Sequence, residues 1–326
     1  MNIYDIAKKA GVSIATVSRV LNKSTKVKSS TRAKILAVIE ENNYVKKSEL
    51  NKSKIIAIVF STLKNNSIAF SVDCLITGLA KSGYKSMLFS SPSDNAGKKV
   101  LIDSIMDMDM AGIIIDAYDF LTYSNEDNNY IMQNIKIPAV IINGYVENPP
   151  INYVINDLNQ TVSALASSYI KSGRNKIAFM FSQMSPVTKS IFEGIKDAYF
   201  LYNLDVSSDY RQQCRDYFQA EKYLNTLIEK NIFPDLIFSG DDLLAANVVN
   251  ILKKKNIIIP DDTEIVSFGN TNYCNAASPS ITSFDLKIQD VAGLAVDILL
   301  GEIKHNEVPV INIISPELIK RETTAL

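Results

Sequence analysis

The sequence predicts two kinds of structure in one chain: a small all-α head with a helix-turn-helix, and a larger body of two α/β lobes built on parallel sheets. Three observations support this prediction. Short helix-like segments fill residues 1–46, β-rich apolar runs alternate with helical stretches in residues 55–326, and the charge changes sign between them. A chain of 326 residues is long enough for a small module and a larger body. Residues 47–54 form the predicted linker.

The two ends of the chain differ in charge. Residues 1–54 carry 12 lysines and arginines against 4 acidic residues, a net charge of +8, whereas the remainder carries −9. A basic head on an acidic body predicts that the head binds a polyanion. Three scattered cysteines and one histidine, His305, argue against a metal site, a bound cofactor or histidine-based catalysis. The apolar runs are too short to span a bilayer and no signal peptide is visible, so we expect a cytoplasmic protein.

The head is predicted to contain three helices. Asn2 and Asp5 resemble a capping box that begins the first helix, and Gly11 ends it. Ser13 then caps a second helix, and Ser29 or Ser30 caps a third. A glycine turn between the first two helices is typical of a helix-turn-helix module. The predicted inward-facing residues of the second and third helices are Val17, Val20, Leu21, Ile35, Leu36 and Ile39.

In such a module the second helix lies in the major groove of DNA. Arg19 is predicted to bind guanine in a bidentate manner, and Ile14 and Ala15 to lie against thymine methyl groups. An alternative is that the polar residues only cap the helix and that Arg19 is solvated. The three-helix arrangement favours DNA binding over this alternative. The hydroxyl groups predicted to bind phosphate are those of Ser13, Thr16 and Ser18.

The stretch "IYDIAKKAGVSIATVSRVLN", followed by "VKSSTRAKILAVIEENNY", resembles the DNA-binding head of the lactose/galactose repressor family. The resemblance implies that Ile14, Ala15 and Arg19 contact bases. Positions that contact the DNA backbone in that family are occupied here by Tyr4, Ser13, Thr16, Ser18, Asn22 and Thr31, with further phosphate-facing positions at Lys26 and Lys28.

The linker departs from the family pattern. Members usually carry "P-N-x-x-A-R-x-L", which folds into a hinge helix on operator DNA and inserts a leucine into the minor groove. This chain has "YVKKSELNKSKIIAIV" instead. Leu50 is the only leucine left to act as a minor-groove wedge. The alternative, that residues 47–54 form a plain charged tether, stays open beside it.

The body shows two sets of apolar runs. Fully apolar strands separated by helices indicate parallel sheets that are covered on both faces. A break near residues 153–157 separates the sets into two lobes, and a ligand would bind between the lobes at the carboxyl ends of the strands. The predicted strands are "IIAIVF", "KSMLFS", "AGIIID" and "PAVIIN", then "KIAFMF", "DLIFSG", "EIVSFG" and "SITSFD".

Segments of the body, including "DLIFSGDDLLAANVV" and "SPELIKRETT", also resemble the repressor family, whose body has the type I fold of periplasmic sugar-binding proteins. The resemblance implies a homodimer on a pseudo-palindromic operator, controlled by a small effector that is a sugar or a sugar phosphate. Ile191 stands where the family has an arginine, and Lys189 is a candidate substitute. The effector-binding candidates are Phe70, Asp116, Asn143, Lys189, Tyr217, Asp241 and Asn270.

The leading hypothesis is a sequence-specific DNA-binding regulator, a repressor of carbohydrate-utilisation genes that a ligand in the cleft controls. One alternative is a solute-binding or sensor protein with the same body fold. Another is a regulator that responds to a protein partner in place of a sugar. No phosphate-binding loop or GxSxG motif supports an enzyme.

Overall fold

The computed structural model divides into two compact units, Met1–Ser53 and Lys54–Leu326. None of the helices in the described part of the chain combines the length and the apolar character that crossing a bilayer requires. The structure describes residues 3–21, 26–41, 53–118, 120–121, 125–145, 151–305 and 309–325.

The first unit contains the three predicted helices, α1 (Ile3–Ala10), α2 (Ile14–Leu21) and α3 (Ser29–Glu41). A tight turn joins α1 to α2, and within it the Val12 N–H donates to the Ala7 carbonyl at 3.0 Å. The short connection allows one small core to hold all three helices. Its buried side chains are Ile6, Ala7, Ala10, Val17, Val20 and Ile35.

The packing of the head confirms most of the predicted inward positions. Val17 and Val20 are buried, and Leu21 and Ile39 are half-buried against the same core. The prediction for Leu36 is wrong, because its side chain is 48% exposed. One residue further along a helix turns the side chain by more than a quarter of a circle, so the residue after buried Ile35 leaves the core face.

The second unit is built from twelve strands, nine α-helices and one short 3-10 helix (Ser208–Tyr210) among the described residues. In chain order the strands are β1 (Ile55–Phe60), β2 (Lys85–Ser90), β3 (Gly112–Asp116), β4 (Ala139–Ile142), β5 (Asn152–Asn156), β6 (Ile177–Phe181), β7 (Arg211–Gln213), β8 (Leu236–Ser239), β9 (Glu264–Phe268), β10 (Thr282–Asp285), β11 (Ile311–Ile314) and β12 (Glu317–Ile319). The helices are α4 (Asn66–Lys81), α5 (Asn95–Met106), α6 (Asn125–Asn134), α7 (Leu158–Lys171), α8 (Pro186–Leu201), α9 (Tyr217–Glu229), α10 (Asp242–Lys254), α11 (Asn272–Ala276) and α12 (Ile288–His305).

Two six-stranded sheets form the two lobes. The N-terminal lobe has the parallel strand order β11-β5-β4-β3-β1-β2, with α4 and α12 on one face and α5 and α6 on the other. The C-terminal lobe has the order β12-β10-β9-β8-β6-β7, with α7 and α8 on one face and α9 and α10 on the other. Only β12 pairs antiparallel among the described strands. The predicted fold class is confirmed.

The two lobes do not correspond to two consecutive halves of the chain, contrary to the prediction from the sequence. The chain passes from lobe to lobe three times, after β5, after β10 and after β11. The Asn156 side chain joins these passages, since its Nδ2 donates to the Leu286 carbonyl at 3.0 Å and to the Ile314 carbonyl at 3.2 Å. One amide therefore ties the three crossing segments together.

Candidate functional site

The outer surface of the head's second helix is polar and accessible. Val17 and Val20 anchor α2 in the core, so the opposite side of the helix faces away from it. The hydroxyls of Ser13 and Thr16 lie 2.8 Å apart, and the Thr16 N–H donates to Ser13 Oγ at 3.3 Å, which caps α2. The exposed residues at the start of α2 and along it are Ser13, Ile14, Ala15 and Arg19, with Thr16 and Ser18 half-buried beside them.

The remaining predicted DNA contacts are spread around this helix. Tyr4 is 65% exposed on α1. Lys26 and Lys28 are exposed before α3, and Thr31 is half-buried on it. These side chains, with the outer side of α2, give the head hydroxyl and cationic groups suited to phosphate. Two further candidates, Asn22 and Leu50, lie outside the described residues, as does most of the linker.

A cleft lies between the two lobes of the body, at the carboxyl ends of the strands. Its first cavity has a volume of about 400 Å³. The N-terminal lobe contributes the loop after β1, including Lys64 and Asn65, and the C-terminal lobe contributes Ser182, Asp241 and Thr271. Asn65 also begins α4, because its Oδ1 accepts the N–H of Ser67 at 2.9 Å.

Asp241 is the predicted cleft residue with the clearest electrostatics. Its Oδ1 accepts the Leu244 N–H at 2.8 Å and so caps α10, and its Oδ2 accepts from Ser182 Oγ at 2.7 Å. Burial raises the pKa of the Asp241 carboxyl above its ordinary value, although these hydrogen bonds act in the opposite direction. A raised pKa means that the folded body binds a proton here more readily than the unfolded chain does.

This shift predicts how an Asp241→Asn variant differs from the wild type. Asparagine caps a helix as well as aspartate does, so α10 should stay intact. The stability that a raised pKa contributes is fully present below the unfolded pKa of about 3.9 and is lost as pH rises through the folded value. We therefore expect the stability of the wild type relative to the variant to fall from pH 3.5 to neutral pH. Urea denaturation across this range tests it, and a relative stability that rises with pH contradicts it.

The neighbouring Asp242 was not predicted from the sequence, yet it organises the C-terminal side of the cleft. Its side chain is buried. Oδ1 accepts from Ser267 Oγ at 2.5 Å and from Ser283 Oγ at 2.8 Å, and Oδ2 accepts the Thr271 N–H at 2.7 Å. The carboxylate thereby joins β9, β10 and the loop before α11. In the described part of the chain, no group of three or more His, Cys, Asp or Glu residues is placed to hold a metal ion.

A second cavity, of about 530 Å³, brings together Phe70 and Asn270, which the sequence had suggested separately. Phe70 is half exposed. Asn270 Nδ2 donates to Asp285 Oδ2 at 3.2 Å, and its Oδ1 accepts from Arg321 Nη2 at 2.7 Å. Sequence reasoning missed Asp285 and Arg321. The cleft therefore also depends on the C-terminal segment of the chain.

A third cavity, of about 490 Å³, is lined by two more of the predicted residues, Asn143 and Lys189. Asn143 Nδ2 donates to Asp116 Oδ2 at 3.2 Å. Asp116 is buried at the end of β3, where it also accepts the Tyr118 N–H at 3.0 Å. The buried Asp116 therefore orients the Asn143 side chain through this hydrogen bond. Of the two residues, only Asn143 lines the third cavity.

Tyr217 and Ile191 lie away from these cavities. The Tyr217 ring packs edge-to-face with Phe218, and its hydroxyl accepts from Lys254 Nζ at 3.0 Å. It is not among the residues that line the three cavities. Ile191 is fully buried in the core between α8 and the sheet of the C-terminal lobe. The chain thus keeps polar groups at the strand ends, while these two side chains take part in packing.

Comparisons with known proteins agree with this architecture. Residues 2–47 match the family described as bacterial regulatory proteins, lacI family, and residues 166–324 match the periplasmic binding protein-like domain. An HTH-type transcriptional regulator from Lachnoclostridium phytofermentans is 30% identical over 99% of both chains. Catabolite control protein A from Staphylococcus xylosus is 24% identical over 99% of both chains.

Solved structures share the fold over the same length. The lac repressor dimer bound to operator and an anti-inducer matches with a TM-score of 0.75 and 19% identity, covering 99% of this chain and 98% of that chain. A complex of the transcriptional regulator CelR with cellobiose matches with a TM-score of 0.71 and 20% identity, covering 99% of this chain and 100% of that chain. At these sequence identities, the two similarities establish a shared fold.

Proposed function

Because the chain belongs to the lacI family of bacterial regulatory proteins, we propose that it is a repressor that binds operator DNA with its head and responds to a small effector in its cleft. The observation that carries this proposal is the outer side of α2, where Arg19 and the small residues before it are exposed on a helix anchored by Val17 and Val20. The proposal places its action in the cytoplasm and makes it a regulator and not an enzyme.

The proposed contacts divide into those that select a sequence and those that hold the backbone. Arg19 donates two hydrogen bonds to a guanine, and Ile14 and Ala15 contact thymine methyl groups. The hydroxyls near the start of α2, together with Tyr4, the lysines before α3 and Thr31, bind phosphates and fix the register of the helix in the groove.

The proposed assembly is a homodimer. One head reads only a few base pairs, and two heads related by a two-fold axis read a pseudo-palindromic operator with half-sites about one helical turn apart, or a multiple of it. The fold likeness to a lac repressor dimer on operator supports this assembly.

The proposed effector is a sugar or a sugar phosphate, so the regulated genes serve carbohydrate use. Hydroxyl-rich ligands need carboxylates and amides for hydrogen bonding and an aromatic ring for stacking. Asp241, Asn143 and Asn270 offer the polar groups, and Phe70 offers the ring. Control by this ligand requires that it bind the DNA-competent and DNA-incompetent conformations with different affinities.

Salt dependence tests the DNA-binding function. With 6 to 10 phosphate contacts, affinity for an operator duplex selected from a random-sequence library is expected to fall by roughly 10³ to 10⁵ between 50 and 200 mM salt. Fluorescence anisotropy with the full-length protein measures this, and a scrambled duplex is the control. An affinity for the operator that does not change with salt would remove the basis of the proposal.

A thermal-shift screen of sugars and sugar phosphates tests the effector. A compound present at about 100 times its dissociation constant is expected to stabilise the wild type by about 2.7 kcal/mol. The same compound should have a smaller effect on Asp241→Asn, because the variant lacks the carboxylate that accepts from ligand hydroxyls. A shift of equal size in both proteins would place the ligand elsewhere.

A further inference from the structure

Tyr118 occupies a special position between the two lobes. It follows β3, two residues after Asp116, and its side chain is half-buried. The ring packs against the apolar core of the N-terminal lobe, which includes Val72 and Val291, and also against that of the C-terminal lobe. A single side chain from one lobe is therefore part of the packing of both.

The same residue borders two cavities in the cleft. Tyr118 lines the outer cavity of about 400 Å³ and an inner cavity of only about 40 Å³. Sites for small molecules have volumes of roughly 300 to 1,000 Å³, so the inner cavity is far too small for a sugar. Asn143 and Asp241, two of the effector-binding candidates, line this inner space.

The lobes approach closely on both sides of Tyr118. A Cβ at Gly144 of the N-terminal lobe would lie 3.1 Å from the Cβ of Pro186 in the other lobe. A Cβ at Gly269 of the C-terminal lobe would lie 3.1 Å from Ser67 Oγ. A side chain at either glycine would crowd an atom of the other lobe as well as its nearest neighbour in its own lobe, Ala117 or Asp242, so the two lobes are in close contact and the cleft is closed here.

The inner cavity also contains an unused polar group. Ser71 on α4 is 2% exposed, its Oγ lines this cavity, and it has no hydrogen-bond partner. Burying a hydroxyl without a partner is unfavourable, and a ligand that reached it would remove that cost.

We propose that Tyr118 is an internal plug that holds the lobes closed by its packing against both cores, and that an effector must displace its ring to reach the inner end of the cleft. The proposal rests on the proposed function only in that the cleft is the effector site. Tyr118 then determines which ligands the cleft admits, because small ones fit the outer cavity and larger ones have to move the ring. Its packing against both cores also stabilises the closed conformation when no ligand is bound.

Amide hydrogen exchange on the full-length protein, without DNA or added compounds, tests the plug. In the wild type we expect slow exchange in the loops and helix starts that meet at the cleft, residues 65–68, 183–188 and 269–273. Tyr118→Ala should raise exchange in these segments by about tenfold or more while β1 and β8 keep their protection, because the lobes separate but do not unfold.

Two variants serve as controls. Tyr118→Phe keeps the ring and should exchange like the wild type. Tyr130→Ala removes a tyrosine that is 45% exposed in the same lobe and should leave the cleft segments unchanged. If Tyr118→Ala does not fold, Tyr118→Leu, with a shorter side chain, replaces it and should raise exchange in the same segments.

Fast exchange of the cleft segments in the wild type overturns the proposal, and so does unchanged protection in Tyr118→Ala or Tyr118→Leu. Neither result depends on the head, since the measurement uses no DNA. A failure of operator binding would therefore be recognised separately from a failure of the plug.

Discussion

Replacing Arg19 by alanine is expected to weaken binding to a selected operator by about 1–3 kcal/mol for each head that contacts it. The side chain is exposed on α2, where Val17 and Val20 fix the helix to the core, so the substitution removes a contact without disturbing the fold. The loss should be accompanied by relaxed preference at one base pair of each half-site. Affinities for the operator and for single-base variants of it, measured by fluorescence anisotropy at one salt concentration, provide the test.

Lys8→Ala is the matched control for Arg19→Ala. Lys8 is exposed on α1, and its removal changes the charge of the head by the same amount. We expect Lys8→Ala to weaken binding equally across sequences, whereas Arg19→Ala loses discrimination. Equal loss of affinity with unchanged base preference in both variants would show that Arg19 contacts only the DNA backbone.

Replacing Asp242 by alanine is expected to lower the free energy of unfolding by about 3–5 kcal/mol, the cost of leaving several buried polar groups unsatisfied. The substitution removes the acceptor of three hydrogen bonds and leaves the Ser267 and Ser283 hydroxyls, both fully buried, without this partner. Each unsatisfied buried group costs about 1–3 kcal/mol. Urea denaturation of the full-length protein, followed by circular dichroism, measures the change.

The adjacent Asp241 provides the comparison. Asp241→Ala removes a helix cap, which is worth about 1 kcal/mol, and a hydrogen bond from Ser182. We expect it to be clearly the milder of the two substitutions. An Asp242→Ala variant as stable as Asp241→Ala would mean that the carboxylate does not organise the strand ends.

Sequence patterns were sufficient to predict the helices and strands that depend on residues close together in the chain. The helical spacing of Val17 and Val20 and the turn at Gly11 predict the head, and the apolar central strands predict the two sheets. The strands that were missed are β5, β7, β11 and β12. β7, β11 and β12 are short or polar, as in the "RQQ" of β7, or exposed at a sheet edge, as in β11, whereas β5 lies inside its sheet but has the mixed run "NYVIN" with asparagine at both ends. Such strands form because a neighbouring strand supplies hydrogen bonds, which the sequence of one segment does not reveal.

In the cleft, too, some residues could be predicted from the local sequence and others depend on contacts between distant parts of the chain. Polar residues at strand ends, such as Asp241 and Asn270, were predictable because parallel strands end at one edge of a sheet. The contribution of Arg321 could not be predicted, because its contact with Asn270 joins residues 51 positions apart. The aromatic candidate Tyr217 begins α9, and its ring packs beside Lys254, because the direction of a ring at the start of a helix depends on neighbouring elements that the local sequence does not show.

The Asn156 amide, which binds carbonyls in two other crossing segments, lies where all three connections between the lobes meet. A rotation moves each atom by an amount proportional to its distance from the axis. If the lobes rotate about the crossing segments, the cavity that Asn156 itself lines, with Asn143 and Lys189, is expected to change less in volume than the cavity lined by Lys64 and Asp241, which Asn156 does not line.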